Sequence, residues 1–477
     1  MSTLKSFLRV HIPLVNRFGS TVLQLRSFSS KMKFDKCSTT SGSISADCLA
    51  KWNADFQSDK KNILAANSVC QSDVADVLIN RNAVVLHTDA GFNTRMSYDE
   101  AKVTDQKSTG RCWLFAATNI YRLRFIKKFN LEDNFELSQS YLFFWDKLEK
   151  SNYFLENIIQ TRNEPLESRI VHHLLSTPIN DGGQYDMFVN IIEKYGIVPK
   201  SAFPETKHSC NSRRLNDLII AKLREFAMEL RDCSGDVQKL KDAQMTVIYR
   251  IMVIFFGVPP SKFTWGFRDK KEKQYFEHTV SPHEFATKFV AFDTGDMISL
   301  ISDPRNEYYK LYTVEYLGNI VGGNPVRYVN VPIDELSKYA AKTIAGGDPV
   351  WFGCDVGKHF SRDLHIMDLE IFDYNLVFGT ELAQNREQRL RYGQSLMTHA
   401  MVLNAFHGDA EKVTRWRVEN SWGDKANKGF ATMTHEWFKQ YVYQVVVNKS
   451  VLPSKITDVL SQTPIAFPAW DPMGSLA

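Results

Sequence analysis

Four residue types in this chain, in the order Gln, Cys, His, Asn, suit acyl transfer. The stretch Gln106-Lys-Ser-Thr-Gly-Arg-Cys112-Trp113 puts a thiol at the opening of an expected helix, directly after a glycine-containing loop. Backbone N–H groups and the helix dipole favour negative charge at such a position. The thiolate is the nucleophilic form, so Cys112 is expected to ionise more easily than a free cysteine. Gln106 comes from the same short segment and can supply an oxyanion donor. Taken alone, a cysteine is more commonly a small buried hydrophobe than a nucleophile. The chemistry therefore requires a base and a residue that orients it.

Ser395-Leu-Met-Thr-His399-Ala-Met-Val-Leu403 sets a histidine in an apolar strand. A buried imidazole costs free energy unless both nitrogens find partners. Val418-Glu-Asn420-Ser-Trp422-Gly423 follows a second strand, 413–418, whose residues alternate as a half-buried strand does. If the two strands are neighbours, Asn420 accepts from His399 and fixes its tautomer, and His399 pairs with Cys112 as a thiolate–imidazolium couple. Trp422 would then shield the His–Asn bond in a low local dielectric. Each piece also has a plainer reading: His399 as a satisfied core histidine, Asn420-Ser421 as a turn. His359, His365 and His407 compete as bases. His399 is preferred for the alanine after it and for the Asn-Ser-Trp-Gly segment downstream.

The elements that must position these residues differ along the chain. Cys112 to about Phe129 shows helical spacing, residues 137–175 read as mostly helical, and Asp181-Gly-Gly-Gln184 reads as a turn. Leu215, Leu218, Ile219, Leu223, Phe226, Ala227 and Leu230 make an amphipathic stripe, and a second helix covers about 235–256. The apolar run 247–258 reads as a buried helix stopped by Pro259-Pro260. Together these suggest an all-helical insertion of about a hundred residues. Arg268, Lys270, Lys271 and Lys273 lie among aromatics in an expected hairpin arm, either a solvated charge cluster or a nucleic-acid contact. From Pro349 onward the chain reads as β-rich, with strands at 350–354, 396–406 and 413–418. Two unlike lobes make a cleft between them.

With 477 residues, 44% hydrophobic and 23% charged, the chain has the composition of an ordinary globular protein. A net charge of +4 does not by itself point to nucleic acid or membrane. No apolar run is long enough to span a bilayer. The seven cysteines include no CxxC pair, so no metal site is expected; reduced thiols and an intracellular setting fit best. Between Met1 and Met32 there are five basic residues and no Asp or Glu, the signature of a mitochondrial transit peptide, with Arg26-Ser-Phe-Ser-Ser30 resembling a cleavage site. Met32 offers an internal start for a cytosolic form. A disordered basic tail is the alternative.

The catalytic segment Gln106 to Ala116, Asp181-Gly-Gly-Gln-Tyr-Asp-Met187, Tyr195-Gly-Ile-Val-Pro-Lys200 and the C-terminal Pro468-Ala-Trp-Asp-Pro-Met-Gly-Ser-Leu-Ala477 resemble the bleomycin hydrolase family of papain-like cysteine peptidases over about residues 45–477. The resemblance implies an α+β fold: a papain-like two-lobe core, one lobe helical and one β-rich, with a large helical insertion and an extended C-terminal tail. It divides the chain into 1–43 (presequence-like), 44–205 (core with Cys112), 206–340 (helical insertion and hairpin arm), 341–460 (β-rich lobe with His399 and Asn420) and 461–477 (tail entering the cleft). It implies Cys112, His399 and Asn420 as the triad, Gln106 as oxyanion donor, and Gly182-Gly183 as the backbone segment that pairs with substrate. It also implies peptide substrates, no cofactor, and a homohexameric ring with sites facing an inner chamber. Pro464, Pro468 and Pro472 favour an extended tail, whose Ala477 carboxylate would meet a substrate α-ammonium. The expected activity is aminopeptidase, with bleomycin-type amide and thiolactone hydrolysis as related chemistry. Trimming beyond Ala477 is not expected. The alternative function is a basic ring protein that binds single-stranded nucleic acid.

Overall fold

The helix that carries Cys112 is apolar on nearly every face, and it is buried on nearly every face. This helix, α1 (Cys112–Phe129), ends where Asn130 turns left-handed at φ 49°, a conformation Asn tolerates. The computed structural model describes residues 42–88, 90–96, 101–271, 273–424 and 427–477. The basic segment Met1 to Met32 and nearly all of the presequence-like region 1–43 fall in residues 1–41 and lie outside the described residues. The chain divides into two compact units, the first ending at Leu64 and the second spanning Ala65–Ala477. In the first, Ser45 caps the helix Ala46–Ser58 by accepting from the Cys48 N–H. Cys70, Cys112, Cys210, Cys233 and Cys354 are free thiols.

In the second unit, Ser138 caps helix α2 (Gln139–Gln160), its Oγ accepting from the Tyr141 N–H at 3.1 Å. Helix α3 (Tyr185–Tyr195) starts directly after Asp181-Gly-Gly-Gln184. The expected pair of insertion helices is present as α4 (Arg213–Asp232) and α5 (Val237–Phe256). On α5 only the stripe Gln244, Ile248, Met252, Phe256 is buried, and Ile254 is 75% exposed. The run 247–258 is therefore half-covered rather than buried, because a single face of the helix meets the others.

The hairpin arm is β1 (Phe263–Arg268) paired antiparallel with β2 (Tyr275–Val280). Two of its four cations have local partners: the Arg268 guanidinium lies over Tyr275, and Lys270 reaches Glu132 at 3.6 Å. The large sheet begins earlier than the 341 boundary read from the sequence. Strands β3 (Met297–Ile301), β4 (Leu311–Val314) and β5 (Tyr328–Asn330) belong to it, and helix Ile333–Ala345 packs behind. These strands are short and their pairing is long-range, so local pattern did not separate them from the insertion.

The sheet continues through β6 (Val350–Cys354), β7 (His399–Asp409), β8 (Lys412–Glu419), β9 (Phe430–Thr434), β10 (Val442–Asn448) and the tail strand β11 (Ile465–Phe467), in spatial order β11-β4-β5-β3-β10-β6-β7-β8-β9. Two pairings matter for the site. His399 stands opposite Cys354 on β6, and Val402 stands opposite Glu419 on β8. The second pairing brings the start of β7 beside the end of β8. One apolar core surrounds α1 and α2, with Trp113 and Trp351 fully buried; the other lies between the sheet and the Ile333–Ala345 helix. The fold is α+β, as the sequence implied.

Candidate active site

The strand register brings the candidate base His399 and the candidate orienting residue Asn420 together. His399 Nε2 donates to Asn420 Oδ1 at 3.0 Å, which leaves Nδ1 as the nitrogen available for proton exchange. The Trp422 ring sits over the imidazole with centroids 5.1 Å apart, and Arg362 lies on Trp422, 5.1 Å from its ring centroid. Water is thereby kept from the His–Asn bond. Cys112 opens α1, and its thiol meets the backbone N–H of Ala400, the residue after His399. The competing histidines lie elsewhere: His359 stacks on Tyr441, His365 accompanies Phe430, and His407 pairs with Arg415 at the far end of β7.

Gln106 is held by the loop that carries Asn420. Its N–H donates to Ser421 O at 2.8 Å, and its Oε1 accepts from Ser421 Oγ at 2.7 Å. Gln106 Nε2 donates one hydrogen to Thr109 O at 2.6 Å, which leaves the second for an oxyanion. Gln106 and the Asn420-Ser421 segment are thus tied to one another.

Burial decides the resting protonation. It pushes the Cys112 thiol up to about 11, against backbone N–H groups of Ala400, Trp113 and Cys112 itself. It pushes His399 down to about 4, against the Asn420 bond, and Arg362 adds in the same direction. This corrects the expectation of an easily ionised thiol: loss of water outweighs the helix-terminal donors. Both shifts favour the uncharged forms of the two groups.

The Gly182-Gly183 ledge lies beside Trp113, and a Cβ added to Gly183 would stand 2.5 Å from that indole. The C-terminal tail runs along this ledge. Phe467 stacks on Tyr312 at 4.8 Å, and Arg305 pairs with Asp471 at 2.9 Å. Ser475 Oγ donates to Met397 O at 2.6 Å, and Gln184 Nε2 donates to Ser475 O at 2.9 Å. The Gly183 N–H then donates to Ala477 O at 3.1 Å. Ala477 is buried, and a Cβ on Gly182 would meet Ala477 O at 2.8 Å and Leu476 Cβ at 2.9 Å.

Some residues of the site escaped sequence reasoning. Arg111, fully buried and immediately before Cys112, donates from Nη1 to both carboxylate oxygens of Glu205, at 3.1 and 3.0 Å. Asp181 and Lys147 lie beneath the ledge, 2.6 Å apart. A lysine and an aspartate among aromatics in Phe143-Phe-Trp-Asp-Lys147 were the available signal, since charges in such a stretch are paired when buried. Among the described residues, no group of three or more His, Cys, Asp or Glu is placed to hold a metal, and no helix is long and apolar enough to cross a membrane.

Residues 43–474 match the model of the Peptidase C1-like family. This chain belongs to that family. Rat (Rattus norvegicus) bleomycin hydrolase is 45% identical over 439 residues, covering 88% of this chain and 96% of the relative. The human (Homo sapiens) bleomycin hydrolase is 44% identical over 455 residues, covering 92% and 100%. A protein named cysteine proteinase 1, mitochondrial, from Saccharomyces cerevisiae (strain YJM789) is 41% identical over 457 residues, covering 92% and 94%. The crystal structure of PepW from Lactobacillus rhamnosis HN001 superposes with a TM-score of 0.88 at 41% identity, covering 92% of this chain and 100% of that one. The chain is a papain-like cysteine peptidase of the bleomycin hydrolase family, and peptides are its substrate class.

Proposed function

We propose that this peptidase is an aminopeptidase acting on short or unfolded peptides through a Cys112–His399–Asn420 triad. The observation that carries this reading is the bond from the Gly183 N–H to Ala477 O at 3.1 Å. A peptide bound on the ledge by the same backbone group would occupy the side of the cleft N-terminal to the cut. The tail holds that side as a product acid would. A substrate then has room for one residue before the scissile bond, and a carboxylate on Ala477 meets its α-ammonium.

The chemistry runs as acyl transfer. Cys112 Sγ gives its proton to His399 Nδ1 and bonds to the first peptide carbonyl carbon. The second Gln106 Nε2 hydrogen and the Cys112 backbone N–H hold the oxyanion; loss of one such donor costs about 10²–10³ in rate. The C–N bond breaks as the imidazolium protonates the leaving amine. Imidazole then takes a proton from water, hydroxide attacks the thioester, and the free acid leaves with the thiol restored. The imidazolium of the intermediate is stabilised by the Asn420 bond, in the way of other triads.

The family resemblance supports bleomycin-type amide and thiolactone hydrolysis by the same triad and a homohexameric ring. The yeast relative's mitochondrial name, with the basic segment before Met32, supports a mitochondrial form beside a cytoplasmic one started at Met32. The test is product analysis by mass spectrometry on matched peptides with free and acetylated N-termini. A ladder of single-residue losses from the free peptide alone is expected, and Cys112→Ala abolishes it. Equal cleavage of the acetylated peptide, or turnover retained by Cys112→Ala, refutes the reading.

A further inference from the structure

A single carboxylate joins the two halves of the substrate cleft. Asp181 Oδ2 accepts from the Gly110 N–H at 3.2 Å, two residues before the nucleophile. The Asp181 carbonyl accepts from Trp113 Nε1 at 2.8 Å, one residue after it. Asp181 is followed directly by the Gly182-Gly183 ledge. The same carboxylate accepts from Ser212 Oγ, from Asn216 Nδ2 at 2.8 Å and from Lys147 Nζ at 2.6 Å. Lys147 is fully buried and also donates to Asn180 O at 2.8 Å; Lys150 donates to Gly182 O at 2.6 Å and pairs with buried Asp146 at 2.7 Å.

Burial alone would push the Asp181 carboxyl up. Lys147, Ser212 and Asn216 outweigh it and hold it well below the usual carboxylate range, so the group stays charged. Packing is close as well, since a Cβ on Gly110 would stand 2.9 Å from Asp181 Cβ. The oxyanion loop, the catalytic helix, the ledge and the root of α4 therefore share one anchor.

We infer that Asp181 is a positioning residue for acyl transfer, setting the separation between the peptide-binding ledge and the oxyanion loop that ends at Cys112. It touches no reacting atom. The inference rests on the peptidase reading of Cys112. Reactions that need both ledge and oxyanion loop depend on it. Alkylation of the thiol by iodoacetamide needs neither, since attack is on a methylene carbon with iodide leaving.

The test is Asp181→Asn in the full chain, with kcat and KM on a free-amine peptide and the rate of Cys112 alkylation measured side by side. The amide keeps the size but turns an N–H toward the donors around it. The expected result is a fall in kcat of about 30-fold or more, a KM within about threefold, and alkylation within about threefold of the parent. Because the substitution leaves Lys147 buried without its charge partner, Ser212→Ala serves as a milder second variant. It removes one donor and keeps the pair, and a fall in kcat of about fivefold with unchanged alkylation is expected. A folded Asp181→Asn at the parental kcat overturns the inference, and so does a parallel fall of alkylation and turnover. If Asp181→Asn does not fold, Ser212→Ala at the parental rate overturns it. A parent chain with no peptidase activity would instead sink the proposed function.

Discussion

Deleting Leu476 and Ala477 is the sharpest perturbation of the proposed aminopeptidase. The rest of the tail keeps its seat, because Arg305–Asp471 at 2.9 Å and Ser475–Met397 at 2.6 Å lie upstream of the cut. What is lost is the group bonded to the Gly183 N–H and whatever charge it presents to the cleft. Opposite unit charges about 4 Å apart at an effective dielectric of about 20 attract by about 4 kcal/mol. Each 1.4 kcal/mol or so is tenfold, so the full chain should prefer a free-amine substrate over its acetylated twin by about 10³ in kcat/KM. After the deletion the ratio should fall to within about tenfold of unity, and peptides should be cut at internal bonds. The assay is kcat/KM on a matched pair of fluorogenic aminoacyl amides, free and acetylated, with product ladders by mass spectrometry. A ratio still above about 100 in the truncated protein, with an unchanged ladder, would show that the tail does not select the first peptide bond.

The same deletion should admit water to Cys112 and move its thiol from about 11 back toward 9.0. The thiolate fraction at neutral pH then rises up to about 100-fold, read as faster iodoacetamide alkylation; no acceleration would mean the tail is not what desolvates the thiol. Asn420→Ala removes the 3.0 Å bond to the imidazolium-forming ring and should lower kcat about 10–100-fold with little change in KM. His399 is held at about 4 in the fold against an ordinary 6.5, so between these values only the unfolded chain takes up the proton. Its contribution to stability is present above about pH 6.5 and is lost as pH falls, by about 2 kcal/mol between pH 7 and pH 5. Urea unfolding of the parent against His399→Gln reads that difference; identical pH dependence would exclude it. Gly183→Ala places a methyl against the Trp113 ring and should cost about 1–3 kcal/mol of stability, whereas Gly182→Ala meets only the tail and should leave the melting temperature near parental while relaxing N-terminal selectivity.

The residues of the proposed triad could be picked out because their signals are local. Cys112 opens the helix expected over Cys112–Phe129, His399 stands in a continuous apolar run, and Asn420 follows the alternating strand 413–418; the Val402–Glu419 register then makes the two strands neighbours. The tail's prolines read as an extended segment, but only Ile465–Phe467 is a strand; Pro468 to Asp471 turns and Pro472–Gly474 forms a 3-10 turn before the chain end meets Gly183. Other features had no local signature. Strands β3 to β5 are short and pair across long separations, so they were absorbed into the insertion. Asp181 reads as a turn residue until Gly110, Ser212 and Lys147 converge on it from three other segments.

The sequence by itself determined the candidate residues and the local segments that present them: Cys112 at a helix start, His399 in a strand, Asn420 just after one. The tertiary structure decided their state. From the sequence Cys112 is a thiol at a helix N-terminus and should ionise readily; in the fold it is buried, and loss of water pushes the thiol up. Helix dipoles and short motifs act over a few residues and can be read from the chain. Desolvation depends on everything that packs around a group, and only the folded molecule supplies that.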